Sequence, residues 1–254
     1  MFSDSQQMHT TMQNCFSRFL RFAMVSSCLI ATILFAGCSS SQGLNLAGAR
    51  SFERGNYQRA IQQFQDSLAK NPGNADAHYN LASAYYQVGK AQNAPAFLQQ
   101  SESLFNQCLD VRPDHVACHR GLAALLVDTN RPESAFTLLK RWSGRSPQLA
   151  EPKIELARLY EEFGDYDNAT RNLTEALNLQ PGNSRAWAAI GRLRERDGKL
   201  AQALSNYQQA YNLNQRNPAI ASRIASLQQN LAISGGSGSG SATKIVNSPS
   251  GTAR

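Results

Sequence analysis

The sequence predicts an all-α chain built as an α-solenoid of stacked helical hairpins, and three observations carry that reading. Pro72, Pro113, Pro147 and Pro181 form a ladder with spacings of 41, 34 and 34 residues. Gly55, Gly89, Asn130, Gly164 and Gly198 form a second ladder, spaced 34, 41, 34 and 34. A period of about 34 residues is the length of one helix–turn–helix unit. Apolar slots keep the same phase. In the first helix of each unit a large slot reads Ala47, Leu81, Leu122, Leu156, Ile190, and the next reads Gly48, Ala82, Ala123, Ala157, Gly191. In the second helix a small slot reads Ala60, Ser101, Ala135, Ala169, Ala203, and a larger one Phe64, Phe105, Leu139, Leu173, Tyr207. Small residues let two helices approach closely, and large ones fill the gap to the neighbour.

In register, the ladders give five units: 41–74, 75–115, 116–149, 150–183 and 184–217. The glycines are expected to end first helices as C-caps, and the prolines to stop second helices from continuing. The long spacing places a seven-residue insertion around Lys90–Phe97 of the second unit. There Asn93 is expected to cap a helix with Pro95 in its first turn, lengthening the second helix at its start. The insertion reads either as a tolerated loop or as a projecting ridge that contacts a partner. The fifth unit has Gln215 in place of proline. Residues 218–231 follow it, with Ile220, Ile224, Leu227 and Leu231 on one helical face, as a capping helix would have. Residues 232–254 are rich in Gly and Ser and read as a disordered tail.

Over 41–217 this arrangement resembles the tetratricopeptide family at nearly every signature slot. The resemblance implies a right-handed superhelix whose first helices line a concave groove that holds an extended or helical segment of a protein partner. The groove slots would be Tyr79, Asn80, Ser83 and Tyr86 in the second unit and Arg120 in the third. The fourth would add Glu151, Ile154, Glu155, Arg158 and Glu162, and the fifth Arg185, Arg192 and Arg196. Tyr and Arg are enriched in binding hot spots. The other reading of these positions is a solvated polar face, with Glu151/Glu155 and Arg192/Arg196 as exposed i,i+4 neighbours. The carboxylate clamp of the family needs Lys, Asn and Arg, and only Asn80 resembles it.

Residues 1–37 read as a targeting segment. Arg18 and Arg21 precede an uncharged stretch, Phe22–Gly37, of 16 residues. That length suits a signal-peptide core and falls short of the ~20 residues of a spanning helix. Ala36, Gly37 and Cys38 resemble the bacterial lipobox, although Phe35 stands where an aliphatic residue is usual. The resemblance implies acylation of Cys38, with 38–40 as the lipidated N-terminus. A thiolate is the nucleophile such a thioether requires. Ser39 resembles the sorting pattern for the outer membrane, with the protein facing the periplasm. The alternative is an uncleaved signal anchor. Cys108 and Cys118 then remain, ten residues apart, as either a disulfide or two packed thiols.

The net charge of +7 becomes +6 once Arg18, Arg21 and Asp4 are removed. No run of Lys or Arg marks a nucleic-acid site, so none is expected. No Walker loop, dinucleotide fingerprint or hydrolase elbow occurs, and neither an enzyme nor a cofactor is expected. His78 and His119 occupy equivalent slots, where the fifth unit has Trp187, which argues for packing. Cys108, His115, Cys118 and His119 fit no common zinc spacing, so no metal is expected. The layout resembles the tetratricopeptide lipoproteins of type IV pilus biogenesis, β-barrel assembly and peptidoglycan-hydrolase scaffolding. It implies a membrane-anchored adaptor in envelope, secretion or pilus assembly. The alternative is a non-catalytic regulatory or substrate-presenting subunit of a cell-wall hydrolase or protease.

Overall fold

The computed structural model of the chain describes residues 40–236. The expected leader, Cys38, Ser39 and residues 237–254 lie outside the described residues. Eleven helices, and no strand, occur among the described residues: α1 (Ser41–Glu53), α2 (Tyr57–Lys70), α3 (Ala75–Gln92), α4 (Pro95–Val111), α5 (Val116–Asp128) and α6 (Pro132–Arg145), then α7 (Glu151–Glu162), α8 (Tyr166–Leu179), α9 (Ser184–Arg196), α10 (Leu200–Leu213) and α11 (Pro218–Gly236). The described residues divide into two compact units, with the boundary between Leu104 and Phe105.

Local chemistry sets the helix boundaries. Asn56, Asn74, Asp165 and Asn183 are N-caps whose side-chain oxygens accept the N–H three residues on. Each turn inside a hairpin has a left-handed residue: Gly55 (φ 74°), Asn93 (49°), Asn130 (59°), Gly164 (78°) and Gly198 (73°). The next residue's N–H then reaches back across the turn, as from Ala94 to the Gly89 carbonyl at 2.9 Å and from Asp165 to Tyr160 at 2.9 Å. This is the six-to-one bond of a Schellman cap. After second helices, Asn71 and Gln180 turn extended (φ −144°, ψ 86° and φ −139°, ψ 84°) just before their prolines. A following proline disfavours the helical region for the residue before it. Asn214 takes the same shape (φ −147°, ψ 88°) with Gln215 after it, so the cap bonds suffice there.

The insertion departs from expectation. Gly89 is not a C-cap but a buried residue inside α3. A Cβ there would lie 2.7 Å from Leu98 Cδ2, so the position is a helix crossing rather than a turn. Asn93 ends α3 in the left-handed conformation instead of opening α4. It stands 38 residues after Gly55 and 37 before Asn130, so the seven extra residues divide four to three. Both helices grow, to 18 residues in α3 and 17 in α4, against 12 to 14 in the other hairpins. Pro95 does open α4, as expected.

In the first unit Ala60, Ile61, Phe64, Leu81, Ala84 and Val88 form the core, with Phe52, Tyr85 and Phe97 against it. Phe64 lies over Gly48, where a Cβ would be 2.4 Å from the ring. In the second unit Ala150, Ile154, Ala157, Ala169, Leu173 and Ile190 form one cluster. Tyr207 lies over Gly191 in a second cluster, at 3.0 Å from an added Cβ. Ile220 and Leu227 of α11 are buried in it and Ile224 packs alongside, as a cap predicts. The helix continues five residues past the expected end at 231, to Gly236.

Candidate partner-binding faces

In the first unit, α3 carries all four predicted groove residues half-buried at its surface: Tyr79, Asn80, Ser83 and Tyr86. Asn80 Nδ2 donates to Asn45 Oδ1 of α1 at 2.9 Å, and Ser83 Oγ donates to the Tyr79 carbonyl at 2.9 Å. Lys90 stands 5.2 Å from the centre of the Tyr86 ring. Tyr85 stacks on Phe97 from the insertion, with ring centres 5.8 Å apart. This face is polar and aromatic, with the Lys90 ammonium over the Tyr86 ring.

The second unit presents a different chemistry. Glu155 of α7 has no exposed surface, and its chain neighbours Ile154, Leu156 and Ala157 are buried with it. Its carboxylate accepts from Arg120 Nη2 of α5 at 2.6 Å and from Arg185 Nη2 of α9 at 2.6 Å, with Arg158 Nε 3.5 Å away. Burial alone would raise the Glu155 carboxyl. The hydrogen bonds and charges of Arg120 and Arg185 override it and hold the group below its ordinary value. Glu155 is therefore no contact residue, contrary to its place in the predicted groove; it is the floor that aims the arginines.

The pattern recurs along successive first helices. Glu161 of α7, 27% exposed, accepts from Arg192 of α9 at 3.0 Å, and the arginine remains 51% exposed. Glu195 of α9, 16% exposed, accepts from Arg223 of α11, also 51% exposed. Tyr207 donates to Glu195 at 3.1 Å, and burial together with that carboxylate pushes its hydroxyl up to about 12. Arg196 lies 3.2 Å over the Tyr166 ring. Arg158 also pairs with Glu162 at 3.1 Å, and Glu151 sits half-buried at the start of α7. Between α7, α9 and α11, Arg158, Glu161, Arg192, Glu195, Arg196 and Arg223 line two adjoining hollows of about 780 and 260 Å³ that share Ala188, Arg192, Asn217 and Ile220.

The histidine slot proves to be structural. His78 Nε2–H donates to the Pro72 carbonyl at 2.8 Å, His119 Nε2–H to Pro113 at 2.9 Å and Trp187 Nε1–H to Pro181 at 2.8 Å. Each ring N–H thus ties a first helix to the proline six residues earlier. His119 also stacks on Trp142, 3.9 Å between centres, and burial drives its imidazole down to about 4. Asp114 beside it accepts from Ser146 at 2.6 Å and Trp142 at 2.8 Å. The Ser146 bond leads in holding its carboxyl below the ordinary value.

Cys108 and Cys118 are joined in a disulfide, with Cα atoms 6.4 Å apart. His115 lies within 4.8 Å of both sulfurs, the one grouping among the described residues with metal-ligand composition. Cysteine ligates a metal as its thiolate, and in a disulfide neither sulfur is one. His115 Nδ1 accepts the Cys118 N–H at 3.2 Å, doing for α5 what Asn74 does for α3. No helix among the described residues is long and apolar enough to cross a membrane.

The repeats match the profiles of known families. The "TPR repeat" family matches residues 48–89, and two "Tetratricopeptide repeat" families match residues 75–115 and 154–219. This chain is a tetratricopeptide-repeat protein, a fold that is generally a non-catalytic scaffold for protein–protein interaction. Among solved structures it resembles a thermophilic TPR protein of Thermus thermophilus. The TM-score is 0.58 at 21% identity, over 75% of this chain and 100% of that one. It is 22% identical over 193 residues to Protein O-mannosyl-transferase TMTC1 of Homo sapiens, covering 73% of this chain and 21% of that protein. It is 29% identical over 157 residues to the Vi polysaccharide export protein VexE of Salmonella typhi, covering 61% and 23%. The chain thus spans less than a quarter of the length of either relative.

Proposed function

We propose that the chain is a lipid-anchored periplasmic adaptor, acylated at Cys38, that recruits a protein partner during assembly of envelope, secretion or pilus machinery. The partner segment lies on the first-helix faces. One observation carries the binding half of this reading: the Glu155 and Glu161 carboxylates of α7 are sunk, and Arg120 of α5 and Arg185 and Arg192 of α9 stand half-exposed over them. A face evolved only for solvation has no need to bury a carboxylate, because exposed ion pairs form at little cost or gain in water. The sequence Ala36-Gly37-Cys38 supports the anchor.

Two measurements test the halves separately. Labelling cells with a lipid precursor should tag the chain, and Cys38→Ala should release it from the membrane fraction. Untagged protein that still sediments with the membrane would sink the lipid anchor. A photo-crosslinker in place of Tyr79 or Tyr86 should capture a discrete envelope protein that a probe at exposed Thr174 on α8 does not. The same captured set from all three positions would sink the groove.

A further inference from the structure

We infer that the trough between α7, α9 and α11 is built for an acidic segment of a partner protein, one in which Asp or Glu alternates with small or aliphatic residues. This rests on the reading that first-helix faces hold a partner, and it names that partner's chemistry. The two adjoining hollows are lined by five arginines, Arg158, Arg185, Arg192, Arg196 and Arg223, and by two carboxylates, Glu161 and Glu195. Both carboxylates are already engaged, by Arg192 and by Arg223 with Tyr207. Buried Glu155 holds Arg185 in place from beneath, so its fork does not have to be ordered when a ligand arrives. Guanidinium forks match carboxylates bidentately, and a ligand carboxylate can share a fork whose far edge faces solvent.

The rest of the lining selects a peptide over a polyanion. Ile154, Ala188, Ala189 and Ile220 form an apolar strip between the arginines. Such a strip suits alternate side chains of an extended segment, whereas phosphate or sulfate polymers gain nothing from it. The hollow on the other side of α9, about 530 Å³ with Trp187 and Ile190, has Arg194 as its one charged lining residue and lacks this pattern. The chain's own residues 237–254 are an unsuitable occupant: they carry Lys244 and Arg254 and no acidic side chain.

The test is a selection from a random 12-residue peptide library on the immobilised full chain, followed by binding of the selected peptides by fluorescence anisotropy. Selected sequences should be enriched in Asp and Glu. Replacing those acids by Asn and Gln should weaken binding at least tenfold. Arg192→Ala and Arg196→Ala should each weaken it about tenfold, the value of one charge-assisted hydrogen bond. Arg171→Ala on the exposed side of α8 should leave it unchanged, with circular dichroism confirming that every variant folds. Selection of neutral or basic peptides, or equal binding of the Gln forms, overturns the acidic assignment. If such peptides are still blocked by Ala188→Trp, the groove reading stands and only this inference falls. Selected peptides indifferent to Ala188→Trp sink both. Tight binding of a single-stranded DNA 20-mer or polyphosphate, with no peptide selected, also overturns the proposal.

Discussion

The first-helix faces of the two units occupy the same repeat positions and carry different chemistry. In the first unit α3 offers Tyr79, Asn80, Ser83 and Tyr86, neutral groups tied to each other and to α1. In the second, α5, α7 and α9 are stitched by carboxylates that lie below their arginines. The repeat backbone is indifferent to this choice, because the packing slots lie on other sides of each helix. What differs is how the face is held rigid: by side-chain amides and rings in one unit, by buried charge in the other. Buried charge is the more sensitive device, since its desolvation is compensated only while every partner stays.

The largest effect should therefore come from the floor of the second unit. Glu155→Ala leaves three guanidiniums without their common acceptor and should cost about 2–4 kcal/mol in urea unfolding, less than the ~3–5 kcal/mol of a fully buried pair because its partners are half-exposed. Asn80→Ala in the first unit removes one neutral bond and should cost about 1 kcal/mol. Equal losses would erase the contrast drawn between the units.

Next comes a pH effect confined to the second unit. His119 binds its proton at about 4 in the folded chain and near 6.5 when unfolded. The unfolded state therefore holds more protons between those values, and stability falls as pH drops from 6.5 towards 4. The loss should reach about 3 kcal/mol. The Glu155 carboxylate, held low in the folded state, adds a further loss at more acid pH, as the solution falls through its folded value. His119→Gln keeps an N–H donor for Pro113 and cannot titrate. Its unfolding free energy should be nearly flat from pH 6.5 to 4.5, and an unchanged slope would contradict the assignment.

The smallest effects lie in the packing shared by both units. Gly48→Ala drives a Cβ to 2.4 Å from the Phe64 ring, whereas Gly191→Ala meets Tyr207 at 3.0 Å. Overpacking should cost about 1–3 kcal/mol at Gly48 and about 1 at Gly191, read as a shift in urea midpoint. A reversed order would mean that the two hairpins relax differently from their contact distances.

Much of this was legible in the sequence because helix caps and packing slots are local and repeat. The left-handed residues at 55, 130, 164 and 198, the Gly48 and Gly191 crossings and the α11 cap all follow from phase alone. Gly89 misled because a glycine is required both where a helix turns left-handed and where another helix crosses closely. Only the contact with Leu98 separates the two. Glu155 misled because its i,i+4 partner Glu151 suggests a solvated stripe. A signal was present in Arg120 and Arg185, which stand about one repeat to either side of a carboxylate inside an apolar run. The Pro-to-His or Pro-to-Trp spacing of six, at 72/78, 113/119 and 181/187, was equally readable. The Cys108–Cys118 disulfide was not, since ten residues across a helix turn suit two packed thiols as well.

The exposed arginines of the second unit's first helices are the proposed contact surface. Hydrogen exchange on the full chain, with and without a library-selected peptide, tests it most directly. Added protection should appear in α9 and the first turns of α11, and vanish with Arg192→Ala/Arg196→Ala. Protection centred on α8 and α10, or unchanged in the double variant, would contradict it.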